Sequence, residues 1–234
     1  MNEDLKYDYA VEDELHKPYS IFAKIYALIP SGTDVLDVGC HTGRFGACLK
    51  EKACRVTGIE LNGEAVARAK LVLDEVRWAS AEDPATFKEL EGRFDVILFL
   101  DVLEHCRRPE EVLKGAQHAL TQRGFVIASI PNIANWWVRK NLLFGKFEYE
   151  PIGIMDETHL RFYTIDTARQ LFYDAGYNIE VMEHRYSFPF FRVRKFSGRM
   201  LTKILGPILP GMFSYQMVIK ARPEAKEAAA LISR

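Results

Sequence analysis

Apolar residues along the chain gather in short runs of strand length, and the stretches between them are amphipathic. The runs at 35–38, 55–60, 76–79, 94–100, 124–130, 178–183 and 215–220 predict seven strands. Helical spacing predicts an N-terminal helix through Ile21, Phe22, Ile25, Leu28 and Ile29, within a 1–30 segment that packs on the domain or forms a lid over its site, followed by helices at 64–73, 109–120 and 166–175. The run Phe94 to Leu100 is apolar apart from Asp95, which predicts a strand covered on both faces. Strands alternating with helices at this spacing predict a doubly wound, mostly parallel α/β sheet whose ligands sit beyond the carboxyl ends of its strands.

Composition narrows the picture. At 234 residues with 48% hydrophobic and 27% charged positions, the chain can build one sizeable domain over 1–234 and does not require a second. A formal net charge of −1 and a pI near 6.6 argue against a nucleic-acid binder, whose footprint is a basic excess. Cys40, Cys48, Cys54 and Cys106 form no C-x-x-C pair and read as reduced thiols. The acidic lead lacks the pattern of a secretory signal, and no apolar run reaches the roughly 18 residues of a membrane span. The expected setting is cytoplasmic.

The most informative stretch is Val35-Leu36-Asp37-Val38-Gly39-Cys40-His41-Thr42-Gly43, a buried strand, a tight turn and the start of a helix. Its two glycines let a ligand approach the backbone and the free N–H groups of the next helix. A dinucleotide G-x-G-x-x-G loop needs glycine at His41, and a P-loop needs Gly-Lys-Ser/Thr where Gly43-Arg44-Phe45 stands. No tyrosine has a lysine four residues on, as a short-chain dehydrogenase would require. Asp37-x-Gly39-x-x-x-Gly43, Glu60, Ala81-Glu82-Asp83 and Asp101-Val102-Leu103-Glu104-His105, in this order, resemble the class I S-adenosylmethionine-dependent methyltransferases over roughly residues 33–128. The resemblance implies a Rossmann-like seven-stranded sheet with an antiparallel last strand.

It also implies S-adenosylmethionine as cofactor and S-adenosylhomocysteine as product, with Cys40, Leu61 and Val102 flanking the binding positions. Glu60 would accept both ribose hydroxyls, and its charge would strengthen each bond. Gly39 and Gly43 would lie against the methionine and ribose portions, with Asp37 ordering the loop or meeting the amino group. Glu82 or Asp83 would meet the adenine amine, and Asp101 the methionine tail. His41 stands where many relatives carry glycine. No Asp/Glu/His spacing compels a metal site.

In-line methyl transfer depends chiefly on alignment and exclusion of water, and a hydroxyl acceptor also benefits from a base near neutral pKa. His105 and His159 are the catalytic candidates. Residues 132–164 read as a substrate-side insertion, with Trp136, Trp137, Leu142, Leu143 and Phe144 as an apolar helix face and Arg161 anchoring a lid to a carboxylate. Asn132, Trp136, Arg139, Arg161 and Tyr163 are its candidate substrate contacts.

Pro131-Asn132-x-x-x-Trp136-x-x-Arg139 is similar to the MetW proteins of methionine biosynthesis. Thr158-His159-Leu160-Arg161-Phe162-Tyr163-Thr164 resembles their relatives in surface-polysaccharide pathways. The expected acceptor is therefore a small molecule, a sugar or a nucleotide- or lipid-linked sugar. The alternatives are a MetW-like partner of a homoserine acyltransferase and a cofactor-binding scaffold without turnover. The basic, aromatic segment 186–212 reads as a lid or homo-oligomer contact, a phosphate contact, or a peripheral membrane surface.

Overall fold

A computed structural model describes residues 11–17, 20–187 and 204–224. The strands are β1 (Asp34–Val38), β2 (Arg55–Glu60), β3 (Glu75–Trp78), β4 (Phe94–Leu100), β5 (Leu120–Pro131), β6 (Tyr177–Tyr186) and β7 (Ser214–Pro223). They form one sheet in the order β3-β2-β1-β4-β5-β7-β6. β1 runs parallel to β2 and β4, β2 to β3, and β4 to β5. β7 is antiparallel to both β5 and β6, as the family resemblance implied. Strand order reverses between β1 and β4, so the ends of β1, β2 and β4 meet at one edge beside the switch point.

β4 is central because both its faces are apolar: Val96, Ile97, Leu98 and Phe99 are fully buried. On one face Ile97 and Phe99 join a core with Leu113, Ala116 and Phe172. On the other, Val96 and Leu98 join Ile25, Leu49 and Val218. The N-terminal helices α1 (Val11–Leu15) and α2 (Ile21–Leu28) belong to this second core through Val11, Ile21 and Ile25, so their structural role is packing. Around the sheet follow α3 (Arg44–Leu49), α4 (Gly63–Ala69), α5 (Pro84–Lys88), α6 (Pro109–Ala119), α7 (Trp136–Leu143) and α8 (Ile165–Asp174). Thr164 caps α8, exchanging hydrogen bonds with Thr167 in a capping box.

Two boundaries differ most from the expectation. The helix expected over 64–73 ends at Ala69, and Leu73 is buried in the turn that follows it, in the second core with Cys40 and Val56. β5 begins at Leu120, because the chain leaves α6 directly into pairing with Phe94. Of the basic aromatic segment, 188–203 lies outside the described residues, as does the tail from 225 onward. Among the described residues, no helix is long and apolar enough to cross a membrane.

Candidate active site

The turn after β1 is built on left-handed backbone. Gly39, His41 and Gly43 have φ of 73°, 51° and 80°, and His41 adopts this region without being glycine. A Cβ on Gly39 would stand 2.7 Å from Val102 Cγ2. The close approach of the two loops therefore requires glycine there. The N–H groups of Gly39 and Cys40 both donate to the Ile59 carbonyl, which ties the turn to β2. Gly43 then stands as the N-cap of α3.

Glu60 closes β2 and binds three backbone amides. Its Oε2 accepts His41 N–H at 2.9 Å, and its Oε1 accepts those of Leu61 (2.7 Å) and Asn62 (2.8 Å). The carboxylate thus shapes the glycine turn and the entry to α4 together. Asp37, buried one strand away, has its carboxyl pushed up to about 7 by burial and by the charge of Glu60.

The two acids after β3 are occupied. Glu82 Oε1 accepts the N–H groups of Arg107 (2.9 Å) and Arg108 (3.2 Å). Asp83 caps α5 by accepting Ala85 N–H. Asp101, just past β4, is itself left-handed with φ 54°. Its Oδ1 accepts from Ser129 Oγ at 3.0 Å and from the Gln216 amide. Burial raises its carboxyl, and those two bonds oppose the shift. Neither Ser129 nor Gln216 was singled out from sequence, because they come from β5 and β7 and nothing local marks them.

Three residues beyond Asp101 lies Glu104, fully buried, with neither carboxylate oxygen hydrogen-bonded. Burial, and then the neighbouring Asp101, hold its carboxyl well above the usual range. Its own carbonyl accepts the N–H groups of Leu160 (2.9 Å) and Arg161 (3.0 Å), which hangs the histidine segment on this turn. His159 Nε2 thereby comes to 3.9 Å from Glu104 Oε1, and the His105 and His159 ring centroids stand 4.8 Å apart. Sequence reading named both histidines as catalytic candidates and gave Glu104 only as a member of the motif after β4. The available signal was an acid set directly between Leu103 and His105.

The insertion is pinned at both ends. Asn132 bridges to Tyr163, and its side-chain amide donates to the carbonyls of Gly211 and Ser214. Asn132 is fully buried, so in this structure its amide positions the loop. Arg139 Nε donates to the Ala134 carbonyl, within its own loop. Arg161 donates to the Arg107 carbonyl, where a carboxylate partner had been expected. Tyr163 is buried, which pushes its hydroxyl up to about 12.

On α7 the expected apolar face divides. Val138 is buried and Trp136 and Trp137 are half-buried, whereas Leu142, Leu143 and Phe144 are exposed because no described element packs over that end. A cavity of about 240 Å³ opens beside the tryptophans, with Asn135, Glu150, Ile154 and Tyr215 among its walls. The Ile154 carbonyl accepts His159 Nδ1 at 3.1 Å, and the Ile154 backbone also hydrogen-bonds the Tyr215 hydroxyl. The cavity and the Glu104 cluster therefore share a wall.

A sheet of this order, a glycine turn after β1, an acid closing β2 and an acid at the end of β4 define an S-adenosylmethionine-dependent methyltransferase. The chain belongs to the methyltransferase-domain family, whose model matches residues 3–181. Over 108 residues it is 32% identical to the ubiquinone biosynthesis O-methyltransferase of Pseudomonas paraeruginosa, covering 44% of this chain and 46% of that protein. The chain thus matches about half the length of such curated relatives. Its fold resembles a crystal structure of an S-adenosylmethionine-dependent methyltransferase from Archaeoglobus fulgidus, with TM-score 0.64, 16% identity and coverage of 87% and 91%. It also resembles a possible histamine N-methyltransferase from Thermotoga maritima, with TM-score 0.63, 17% identity and coverage of 92% and 91%.

The cofactor suits the residues present. Gly39 is exposed at the switch point, which opens its backbone to a ligand, and Glu60 offers carboxylate acceptors at the end of β2.

Proposed function

We propose that this methyltransferase acts on a hydroxyl group of a small ring-shaped acceptor, a sugar or a nucleotide- or lipid-linked sugar. The observation that carries the reading is the cavity beside α7. Trp136, Trp137 and Glu150 line it, and it adjoins the cluster of Glu104, His105 and His159. Aromatic faces take the apolar face of a sugar, and an acid takes its hydroxyls. At about 240 Å³ the cavity lies just below the usual range for ligand pockets of roughly 300–1,000 Å³. That size suits one ring better than an extended ligand.

Bound S-adenosylmethionine supplies an electrophilic methyl group on its sulfonium. Glu60 would hold the ribose, Gly39 and Gly43 would admit the methionine and ribose portions, and Asp101 would meet the methionine amino group. Glu82 holds two backbone amides through Oε1 and Asp83 one through Oδ1, so either would fix the pocket wall and meet the adenine amine through its other oxygen. Trp136 would stack on the acceptor. Asn132, Arg139, Arg161 and Tyr163 would hold the insertion in place, and the Glu104, His105 and His159 cluster would manage the acceptor's proton.

A phenolic acceptor is the second reading. It is favoured by the O-methyltransferase relatives and by the exposed Leu142, Leu143 and Phe144, which would suit an apolar substituent. Incubating the purified chain with labelled S-adenosylmethionine and parallel panels of nucleotide sugars and dihydroxyphenols separates the two. Label appearing on sugars alone supports the first reading, and on phenols alone the second.

A further inference from the structure

Glu104 poses the sharpest physical problem in the molecule. A buried carboxyl group with neither oxygen hydrogen-bonded is destabilising in either protonation state, because nothing replaces the water it has lost. Its surroundings are not apolar filler, because two imidazoles face it. Among the described residues, Glu104, His105 and His159 each offer one ligand atom, and the three atoms lie within 4.8 Å of one another.

The histidines are held in the form a metal needs. His105 Nδ1 lies 3.2 Å from the Thr158 carbonyl, and His159 Nδ1 lies 3.1 Å from the Ile154 carbonyl. A carbonyl can only accept, so each Nδ1 donates, and in a neutral imidazole that tautomer leaves the lone pair on Nε2. This is the outer-shell arrangement that fixes the tautomer and raises the basicity of metal-bound imidazole. The segment that supplies them is stiffened by Asp156, whose Oδ1 accepts both the N–H (2.9 Å) and the hydroxyl (2.6 Å) of Thr158.

We propose that Glu104, His105 and His159 form a binding site for a divalent transition-metal ion of the zinc, manganese or iron class. Two imidazoles and one carboxylate match those ions better than magnesium or calcium, which favour all-oxygen sets. Bonds of about 2.0–2.2 Å at tetrahedral angles put neighbouring ligand atoms about 3.4 Å apart. To reach that spacing, the 3.9 Å between His159 Nε2 and Glu104 Oε1 shortens by about 0.5 Å, and the widest separation, 4.8 Å at most, by no more than about 1.4 Å.

Three protein ligands leave a position open, and the ion would accept the acceptor's hydroxyl oxygen there and lower its pKa. That role rests on the hydroxyl-acceptor reading above, whereas the site itself does not. The spacing of residues along the chain gives no sign of this site, because 53 positions separate His105 from Thr158, which holds its ring.

The test is metal binding by the full chain, stripped with a chelator and titrated with cobalt(II) and zinc(II). We expect one equivalent of cobalt with visible d–d absorption, displaced by zinc. Glu104→Gln and His159→Asn should each weaken binding at least tenfold, as should His105→Asn, which alters the more exposed ligand. Circular dichroism and S-adenosylhomocysteine affinity report whether each variant folds. Absence of stoichiometric binding, or binding unchanged in all three folded variants, overturns the proposal. If the metal binds and no hydroxyl compound is methylated, the acceptor reading fails and the site stands.

Discussion

The two ends of the active-site edge differ in how their polar groups are satisfied. At the β1–β2 end, Glu60 is bonded to three backbone amides, and the glycine turn it organises is fixed before any ligand arrives. At the β4–insertion end, the Glu104 carboxylate is buried with neither oxygen hydrogen-bonded, and the last turn of α7 exposes large apolar side chains. The first region is preorganised for a ligand common to many enzymes. The second holds the buried carboxyl group on which the proposed metal site is built.

The contrast can be broken by substitution. His159→Ala should lower turnover by about 10²–10⁴-fold while leaving S-adenosylhomocysteine affinity nearly intact, measured by steady-state kinetics and calorimetry. Equal loss of both would merge the two regions into one. Glu60→Ala should weaken cofactor binding by ~3 kcal/mol, because two charge-assisted bonds to the ribose are lost and the turn loses its brace. Unchanged calorimetric affinity would remove Glu60 from the ribose role. Gly39→Ala should cost about 1–3 kcal/mol in urea denaturation through its left-handed backbone and the clash with Val102, and Val102→Ala should restore part of it.

The remaining effects are smaller. With its carboxyl raised to about 7, folded Asp37 keeps a proton that the unfolded chain releases near its ordinary value of 3.8. The stability this contributes is complete at low pH, falls as pH rises from about 4 through 7, and is flat above that. Asp37→Asn should flatten the slope between urea midpoints taken at about pH 5 and about pH 8. At the other end, Leu143→Ser should change stability by no more than about 0.5 kcal/mol, since the side chain is 81% exposed. A large loss would mean that this face is covered.

Much of the fold was legible because strands such as Phe94 to Leu100 bury both faces and must read as continuous apolar runs. The helix after β2 was overextended because Leu73 is buried without being helical, and periodicity registers burial without distinguishing its cause. The glycine turn, Glu60 and Asp101 stand next to the strands that position them, so local pattern revealed them. Glu104 and His159 meet only because the Glu104 carbonyl holds Leu160 and Arg161, a contact across more than 50 positions that no local spacing encodes. Arg161 illustrates the same limit: its charge suggested a carboxylate, and the fold supplies a carbonyl.

The most direct test of the account is transfer of labelled methyl groups from S-adenosylmethionine to a panel of nucleotide sugars, comparing the natural chain with Trp136→Ala. The account predicts a methyl ether on a sugar hydroxyl, with KM for the sugar raised in the variant and cofactor affinity unchanged. Methylation confined to phenols or amines, or sugar turnover indifferent to Trp136, would contradict it.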